Sequence, residues 1–374
     1  MIMGNSSNHL ALIFIPDISG FTKFVNDTEV KHSAHIIQEL LENIINMNEL
    51  QLTVSEIEGD AILFFRSGGP PDPEMIAAQV RKMFIAFHAY LNDIEARRVC
   101  QCGACSNASN LTLKFIIHYG NISVSEIGGH QKLLGKDVIV AHRLMKNTIS
   151  DNEYMLISEE MISVIEEAKL GSACSWGKLN RGSSCYEHIG EVHYRYIKLA
   201  PLRKDIPEAA VNVPLEKYSD SIVTETFIEA PKEFIFETIL DLDTRPIWTE
   251  GITKTEFDRD EILRIGSRHL CEVPGGMVEL ETIHRHSEDG TIEYAERAIE
   301  NRLFKNVSTF YRLQDEDNRT YVRTEFHFKK RPLLGGVINL LFRPGLTSNL
   351  KKTSENLKQY CEESYHGRLR GRTQ

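Results

Sequence analysis

Two aspartates, each at the end of an apolar run, are the first residues with types and spacing suited to chemistry. Asp17 lies in Phe14-Ile15-Pro16-Asp17-Ile18-Ser19-Gly20-Phe21-Thr22, and Asp60 in Glu58-Gly59-Asp60-Ala61. On adjacent strands the two carboxylates would converge, as a divalent-metal phosphoryl-transfer site requires. Mg²⁺ takes hard oxygen ligands and shares them between one or two carboxylates and substrate phosphates. Gly20 would let the main chain approach a polyphosphate and turn N–H groups toward it. The plainer alternative is a pair of turn aspartates that merely end strands, and spacing alone leaves both open.

A second constellation is Cys100-Gln101-Cys102-Gly103-Ala104-Cys105. Three thiolates this close, around a permissive glycine, suit a structural Zn²⁺ with a fourth ligand from elsewhere, for which Cys174 and Cys185 are the candidates. The alternative is small buried cysteines in a loop. The chain has seven cysteines, and its first residues, MIMGNSSNH, lack the basic and apolar regions of a secretory signal. Reduced thiols or metal ligands are therefore expected rather than a disulfide framework, and a cytoplasmic location. Among the histidines, His118 on an apolar run reads as a core residue, and His284 and His286 alternate on a strand. Leu133-Leu134-Gly135-Lys136 lacks the rest of a P-loop.

The elements that must position these groups follow from the pattern. The chain has 374 residues, with 43 Lys+Arg against 53 Asp+Glu, so 43 − 53 gives a net charge of −10. That length suggests two domains, and the acidic balance argues against a nucleic-acid partner. No segment has the run of about 18 apolar residues that a membrane span requires. Residues 1–200 read as alternating strands and helices: strands at 10–15, 52–57, 61–65 and 154–157, helices at 32–47, 75–94 and 137–146. Residues 111–118 and 122–127 read as a hairpin turning at Tyr119-Gly120-Asn121, and 186–199 adds strand. A proline-rich stretch, 201–218, reads as a linker. Residues 219–365 read as a strand, two short helices, several β-runs and a long final helix, with 366–374 a disordered basic tail.

The runs FIPDISGFTKFV, EIEGDAILFF, HYGNISVSEIGG and LLGKDVIVAHRL resemble, in order, the class III nucleotidyl (adenylate/guanylate) cyclase domain. The resemblance implies an α+β fold with a ferredoxin-like βαββαβ core, a head-to-tail homodimer with active sites at its interface, and two Mg²⁺ or Mn²⁺ ions. The implied reaction converts a nucleoside triphosphate to a cyclic monophosphate and pyrophosphate. By the same resemblance, Asp17 and Asp60 are the metal aspartates and the Ile18 carbonyl also reaches a metal. Gly20, Phe21 and Thr22 form the triphosphate turn, Glu56 takes the base-reading position, and Arg143 is the catalytic arginine. A two-metal clamp with a guanidinium is physically suited to neutralising a pentavalent phosphorus.

Two positions depart from that pattern. Ile139, one helical turn before Arg143, replaces a ribose-orienting asparagine and can donate no side-chain hydrogen bond. Lys132 stands where the partner of Glu56 should be, and fits neither the adenylate nor the guanylate pattern. These departures motivate an alternative reading, a catalytically degenerate module for nucleotide binding or dimerisation. Residues 219–365 resemble the START-like (SRPBCC, polyketide cyclase/dehydrase-like) superfamily through TETFIEAPKEFIFETILDLDTRPIWTEGI, consecutive antiparallel strands and the long terminal helix. That implies a helix-grip fold around a cavity for a small apolar ligand, lined or filled by Trp248, Phe257, Phe304, Phe310, Tyr311 and Phe326.

Overall fold

From Ala11 to Ile15 the chain is uninterruptedly apolar, and all five side chains are buried, as befits a strand covered on both faces. This strand is the axis of the first of two units. A computed structural model describes residues 8–26, 30–100, 102–127, 130–209, 218–259, 261–288, 290–299, 306–329 and 335–371. The units comprise Met1–Ala96 with Cys102–Ala209, and Arg97–Gln101 with Ala210–Gln374.

In chain order the first unit begins β1 (Asn8–Ser19), α1 (Phe21–Asn26), α2 (Val30–Asn46), β2 (Thr53–Glu58), β3 (Ala61–Ser67) and α3 (Pro73–Arg97). It continues through α4 (Gly103–Asn107), β4 (Thr112–Ile127), β5 (His130–Leu134), α5 (Lys136–Leu144) and β6 (Tyr154–Ser158). It closes with α6 (Glu159–Ile162), α7 (Glu167–Ala173), β7 (Asn180–Tyr186) and β8 (Gly190–Lys198). The sheet order is β2-β3-β1-β4-β6-β8-β7, with β5 paired to β4. Its β2-β3-β1-β4 portion, with α2 and α3 as the crossovers, is the expected ferredoxin-like arrangement.

One expected turn is absent. Tyr119-Gly120-Asn121 is not a hairpin, because β4 runs through it unbroken and pairs with β1 from Thr112 to Ser123. Gly120 supplies room there: a Cβ built on it runs into the side chain of Asp137. The Asp137 carboxylate accepts a 2.6 Å hydrogen bond from the Asn121 N–H, which ties the start of α5 to the sheet. The strand that pairs back on β4 is β5. The weakly apolar edge strand β7, NRGSSCY, is an addition to the expected elements.

The expected linker begins as a 3₁₀ turn, Ala200–Asp205, with Leu202 buried; residues 210–217 lie outside the described ones. The second unit contains β9 (Asp220–Ile228), α8 (Lys232–Leu240), α9 (Arg245–Trp248), β10 (Lys254–Glu256), β11 (Arg268–Val273) and β12 (Gly276–Glu288). After these come β13 (Thr291–Ala298), β14 (Val307–Glu316), β15 (Arg319–Phe328) and α10 (Gly335–Gly371). All seven strands are antiparallel, in the order β10-β11-β12-β13-β14-β15-β9. Asp317 and Asn318, with φ of 47° and 67°, make the two-residue turn between β14 and β15.

Helix α10 gives its Leu357 and Cys361 to a core with Phe236, Trp248, Tyr294 and Tyr311. It extends to Gly371, so the expected disordered tail is helical over most of its length. The α+β class and the helix-grip arrangement are as expected. Of the aromatics named for a cavity, Trp248 and Tyr311 fill core, Phe326 packs against Ile222, Val307 and Phe328, and Phe257 lies under the Arg259 guanidinium. Phe310, the neighbour of Tyr311 on β14, projects from the other face of the sheet, and Phe304 lies outside the described residues. The side chains of His284 and His286 are likewise outside them.

Candidate functional site

The register of β1 decides what stands near Asp17. Asp17 pairs with Ala61 on β3 and with Lys114 on β4. Asp60 occupies the turn between β2 and β3, behind Gly59 at φ +64°. Its carbonyl accepts a 3.0 Å hydrogen bond from the Ile18 N–H, so the two aspartates belong to one corner of the sheet. Asp17 is only 8% exposed, whereas Asp60 is half-buried. Burial raises the pKa of both, the Lys114 charge opposes that rise in both, and Asp60 adds to the rise at Asp17.

Lys114 is a site residue that the sequence pattern does not single out. Its Nζ lies 3.1 Å from Asp17 Oδ2, and it donates a second, 3.4 Å hydrogen bond to the Met145 carbonyl. A divalent ion fits this corner by donor type, since both carboxylates are hard oxygen ligands. It does not fit by charge, because an ammonium already neutralises one of them. Two divalent ions would add four positive charges to two carboxylates and an ammonium, a balance that only a polyphosphate could restore.

The turn after β1 has the backbone its motif requires. Gly20 is exposed at φ +93°, a conformation that L side chains rarely adopt, and its carbonyl accepts from the Phe24 N–H at 3.0 Å to open α1. Thr22 is exposed. Phe21 turns its ring toward Gly59 and lines an apolar groove of about 440 Å³ with Ile37, Leu41 and Ile57.

Glu56 and Lys132, expected at base-reading positions, are occupied with each other. Glu56 Oε2 on β2 is 3.7 Å from Lys132 Nζ on β5, and Glu58 Oε2 is 3.7 Å from His142 Nδ1 on α5. Ile139 and Arg143 stand one turn apart on α5, both exposed, Ile139 at 55%. Among the described residues Arg143 takes part in no ion pair. His118, fully buried, contacts Ser158 Oγ through Nδ1 at 2.8 Å and Asp137 Oδ1 through Nε2 at 3.6 Å. The His118 imidazole beside it is the main reason that Asp137 is held below the usual carboxylate range. It is a core residue that anchors α5.

The cysteine cluster gathers, with one correction. Cys102 caps α4, its Sγ accepting from the Cys105 N–H at 3.4 Å. The residue beside these thiols is neither Cys174 nor Cys185 but His32, on α2. Cys174 is buried at the end of α7, its thiol pushed up to about 12 by burial, and Cys185 is exposed on β7.

Residues 219–362 match the family described as polyketide cyclase / dehydrase and lipid transport, and residues 37–154 match a family of unknown function, DUF2652. An uncharacterized Mycobacterium tuberculosis protein, Rv2561/Rv2562, is 28% identical over 173 residues, which span 46% of this chain and 76% of that protein. Similar solved structures include the catalytic core of a rhodopsin-guanylyl cyclase with converted specificity, in complex with ATPαS. It is 14% identical and covers 52% of this chain and 98% of its own, at a TM-score of 0.38. The adenylyl cyclase CyaB from P. aeruginosa is 16% identical over 52% of this chain and 96% of its own, at 0.37. TTHA0849 from Thermus thermophilus is 18% identical over 39% of this chain and 99% of its own, at 0.32. No helix among the described residues is long and apolar enough to cross a membrane.

Proposed function

We propose that the first unit is a cyclase-like module that binds a nucleoside triphosphate and in which cyclisation is suppressed. The observation that supports this reading most is the Lys114 ammonium, 3.1 Å from Asp17 Oδ2. A built-in cation satisfies Asp17 without a metal and leaves a pocket of mixed charge for a polyphosphate. Gly20, Phe21 and Thr22 supply backbone N–H groups to the phosphates, and Asp60, with the Ile18 carbonyl, remains able to hold one Mg²⁺ or Mn²⁺ brought by the nucleotide. When bound, that ion would screen phosphate charge. Glu56, paired to Lys132, reads the base weakly or must change partner to read it. With Ile139 in place of a hydrogen-bond donor, the ribose is not held for attack; a missing oriented contact of this kind costs about 10²–10³ in rate.

The second reading, a working homodimeric cyclase, is favoured by the exposed Arg143, which is open to a second copy of the chain. One experiment separates the two. Each of the four common nucleoside triphosphates is incubated with protein and Mn²⁺, and bound nucleotide and cyclic product are measured in the same sample, beside Asp17→Ala. The proposal expects saturable binding and no cyclic product. Product from the wild type that disappears in Asp17→Ala would establish the second reading instead.

For the second unit we propose a small apolar ligand. Its support is a second apolar cluster, Ile222, Val307 and Phe328 buried beneath Phe326, Leu346 and Leu350, apart from the filled core around Trp248. Native mass spectrometry of the full chain tests this: co-purified mass that dissociates on activation supports it, and a clean apo mass after lipid extract is offered contradicts it.

A further inference from the structure

We infer that His32, Cys100, Cys102 and Cys105 form a structural Cys₃His zinc site, with His32 as the ligand that the sequence does not disclose. The inference is independent of the nucleotide reading. His32 Nδ1 lies 3.2 Å from Cys102 Sγ and 3.6 Å from Cys105 Sγ. Cys100 is two residues before Cys102 on the same loop, and the four candidate ligand atoms all lie within 4.8 Å of one another.

The distances are of the size that coordination to one ion requires. With Zn–S near 2.3 Å and Zn–N near 2.0–2.1 Å, a tetrahedron has edges of about 3.6 Å between nitrogen and sulfur and about 3.8 Å between sulfurs. One imidazole nitrogen can make one good hydrogen bond, yet Nδ1 addresses two sulfurs at separations close to that edge. Cys105 is fully buried and Cys102 and His32 are half-buried, so the cluster is shielded but reachable by an ion.

The donor set also selects the metal. Three thiolates and an imidazole are soft-to-borderline ligands that suit a tetrahedral d¹⁰ ion rather than Mg²⁺ or Ca²⁺. Four protein ligands leave no open position, which makes the site structural and not catalytic. Binding deprotonates the thiols and releases their protons to solvent, so affinity falls in acid. The ion would staple α2 to α4. The two helices are far apart in sequence, and α4, which carries Cys105 and is capped by Cys102, is only five residues long.

The test uses the full chain, purified in reductant, loaded with zinc and desalted. Metal analysis is expected to give one zinc per chain, and the cobalt-loaded protein the thiolate charge-transfer and intense d–d bands of a tetrahedral ion. His32→Ala should weaken zinc binding by more than about 100-fold, since even outer-shell changes cost about 10–100-fold. His32→Cys should retain zinc with a stronger charge-transfer band, which guards against a variant that merely misfolds. Cys174→Ser should retain full stoichiometry. Substoichiometric zinc in the loaded wild type, undiminished zinc in a folded His32→Ala, or octahedral cobalt spectra would overturn the inference.

Discussion

Two of the ion pairs among the described residues, one in each unit, are opposite in character. In the second unit Arg245 grips Glu296 with two hydrogen bonds of 2.7 and 2.9 Å, and both side chains are almost fully buried, at 2% and 3%. A third Arg245 bond reaches the Ile239 carbonyl, and the Tyr294 hydroxyl donates to Glu296 at 2.7 Å. In the first unit Lys114 holds Asp17 by a single contact, with side chains 17% and 11% exposed, at a corner that also contains Asp60. The guanidinium is a fixed, bidentate partner, whereas the lysine is a point charge on a flexible stem. The first pair is scaffold; in the proposed function the second holds a cation that can be exchanged. On that proposal, similar chemistry serves architecture where both partners are held by several bonds, and binding where one carboxylate is left over.

The comparison is broken most severely by Arg245→Met, which strands a buried charge and should cost about 3–5 kcal/mol. Denaturant titration followed by Trp248 fluorescence in a Trp176→Phe background measures it, and Glu296→Leu added to Arg245→Met should restore most of the loss. Next comes pH. Burial depresses His269, beside this pair, from 6.5 to about 4, the pull of Glu296 notwithstanding. As pH falls the unfolded chain takes up that proton first, so stability declines from 6.5 to about 4 and then levels for this group. The loss is about 3 kcal/mol at most. Burial also raises Glu296, but Arg245 outweighs it and holds the carboxyl at about 2, so a further loss follows below 4.5. His269→Leu should flatten the upper window by removing the titrating imidazole, and the ring leaves no hydrogen bond broken, since neither of its nitrogens has a hydrogen-bond partner among the described residues.

Smaller effects sharpen the contrast from the other side. Lys114→Met should cost less than about 2 kcal/mol in thermal unfolding, because Asp17 can be protonated or reached by an ion, and added Mn²⁺ should recover it. Lys132→Ala should change stability by less than about 1 kcal/mol, since Lys132 is 53% exposed and 3.7 Å from Glu56.

Much of the fold was legible because apolar periodicity survives wherever an element is buried on a regular face. The helix Lys232–Leu240 has such a face, while the strand Ala61–Ser67, buried without a break from Ala61 to Phe65, is legible as an unbroken apolar run. The reading failed where packing, not turn preference, placed a residue. Gly120 serves close approach to Asp137, and no local signal distinguishes that from a turn glycine. Strand β7 failed differently: an edge strand with few apolar residues has no periodicity to detect. At the site, Asp17, Asp60 and Gly20 were legible through motif spacing. Lys114 was present as a lone lysine inside the apolar run LKFII, but only the β1–β4 register places it opposite Asp17. His32 could not be singled out, since its link to the cysteines is entirely tertiary.

The most direct measurement is a Mn²⁺ titration of wild type and Lys114→Met followed by electron paramagnetic resonance, without nucleotide. An ammonium about 4 Å from an ion costs about 4 kcal/mol per unit charge at an effective dielectric constant near 20. Even if the lysine relieves most of that by swinging away, the variant should bind Mn²⁺ at least about tenfold more tightly. Equal affinities in the two proteins would contradict the claim that Lys114 is the resident cation of this corner.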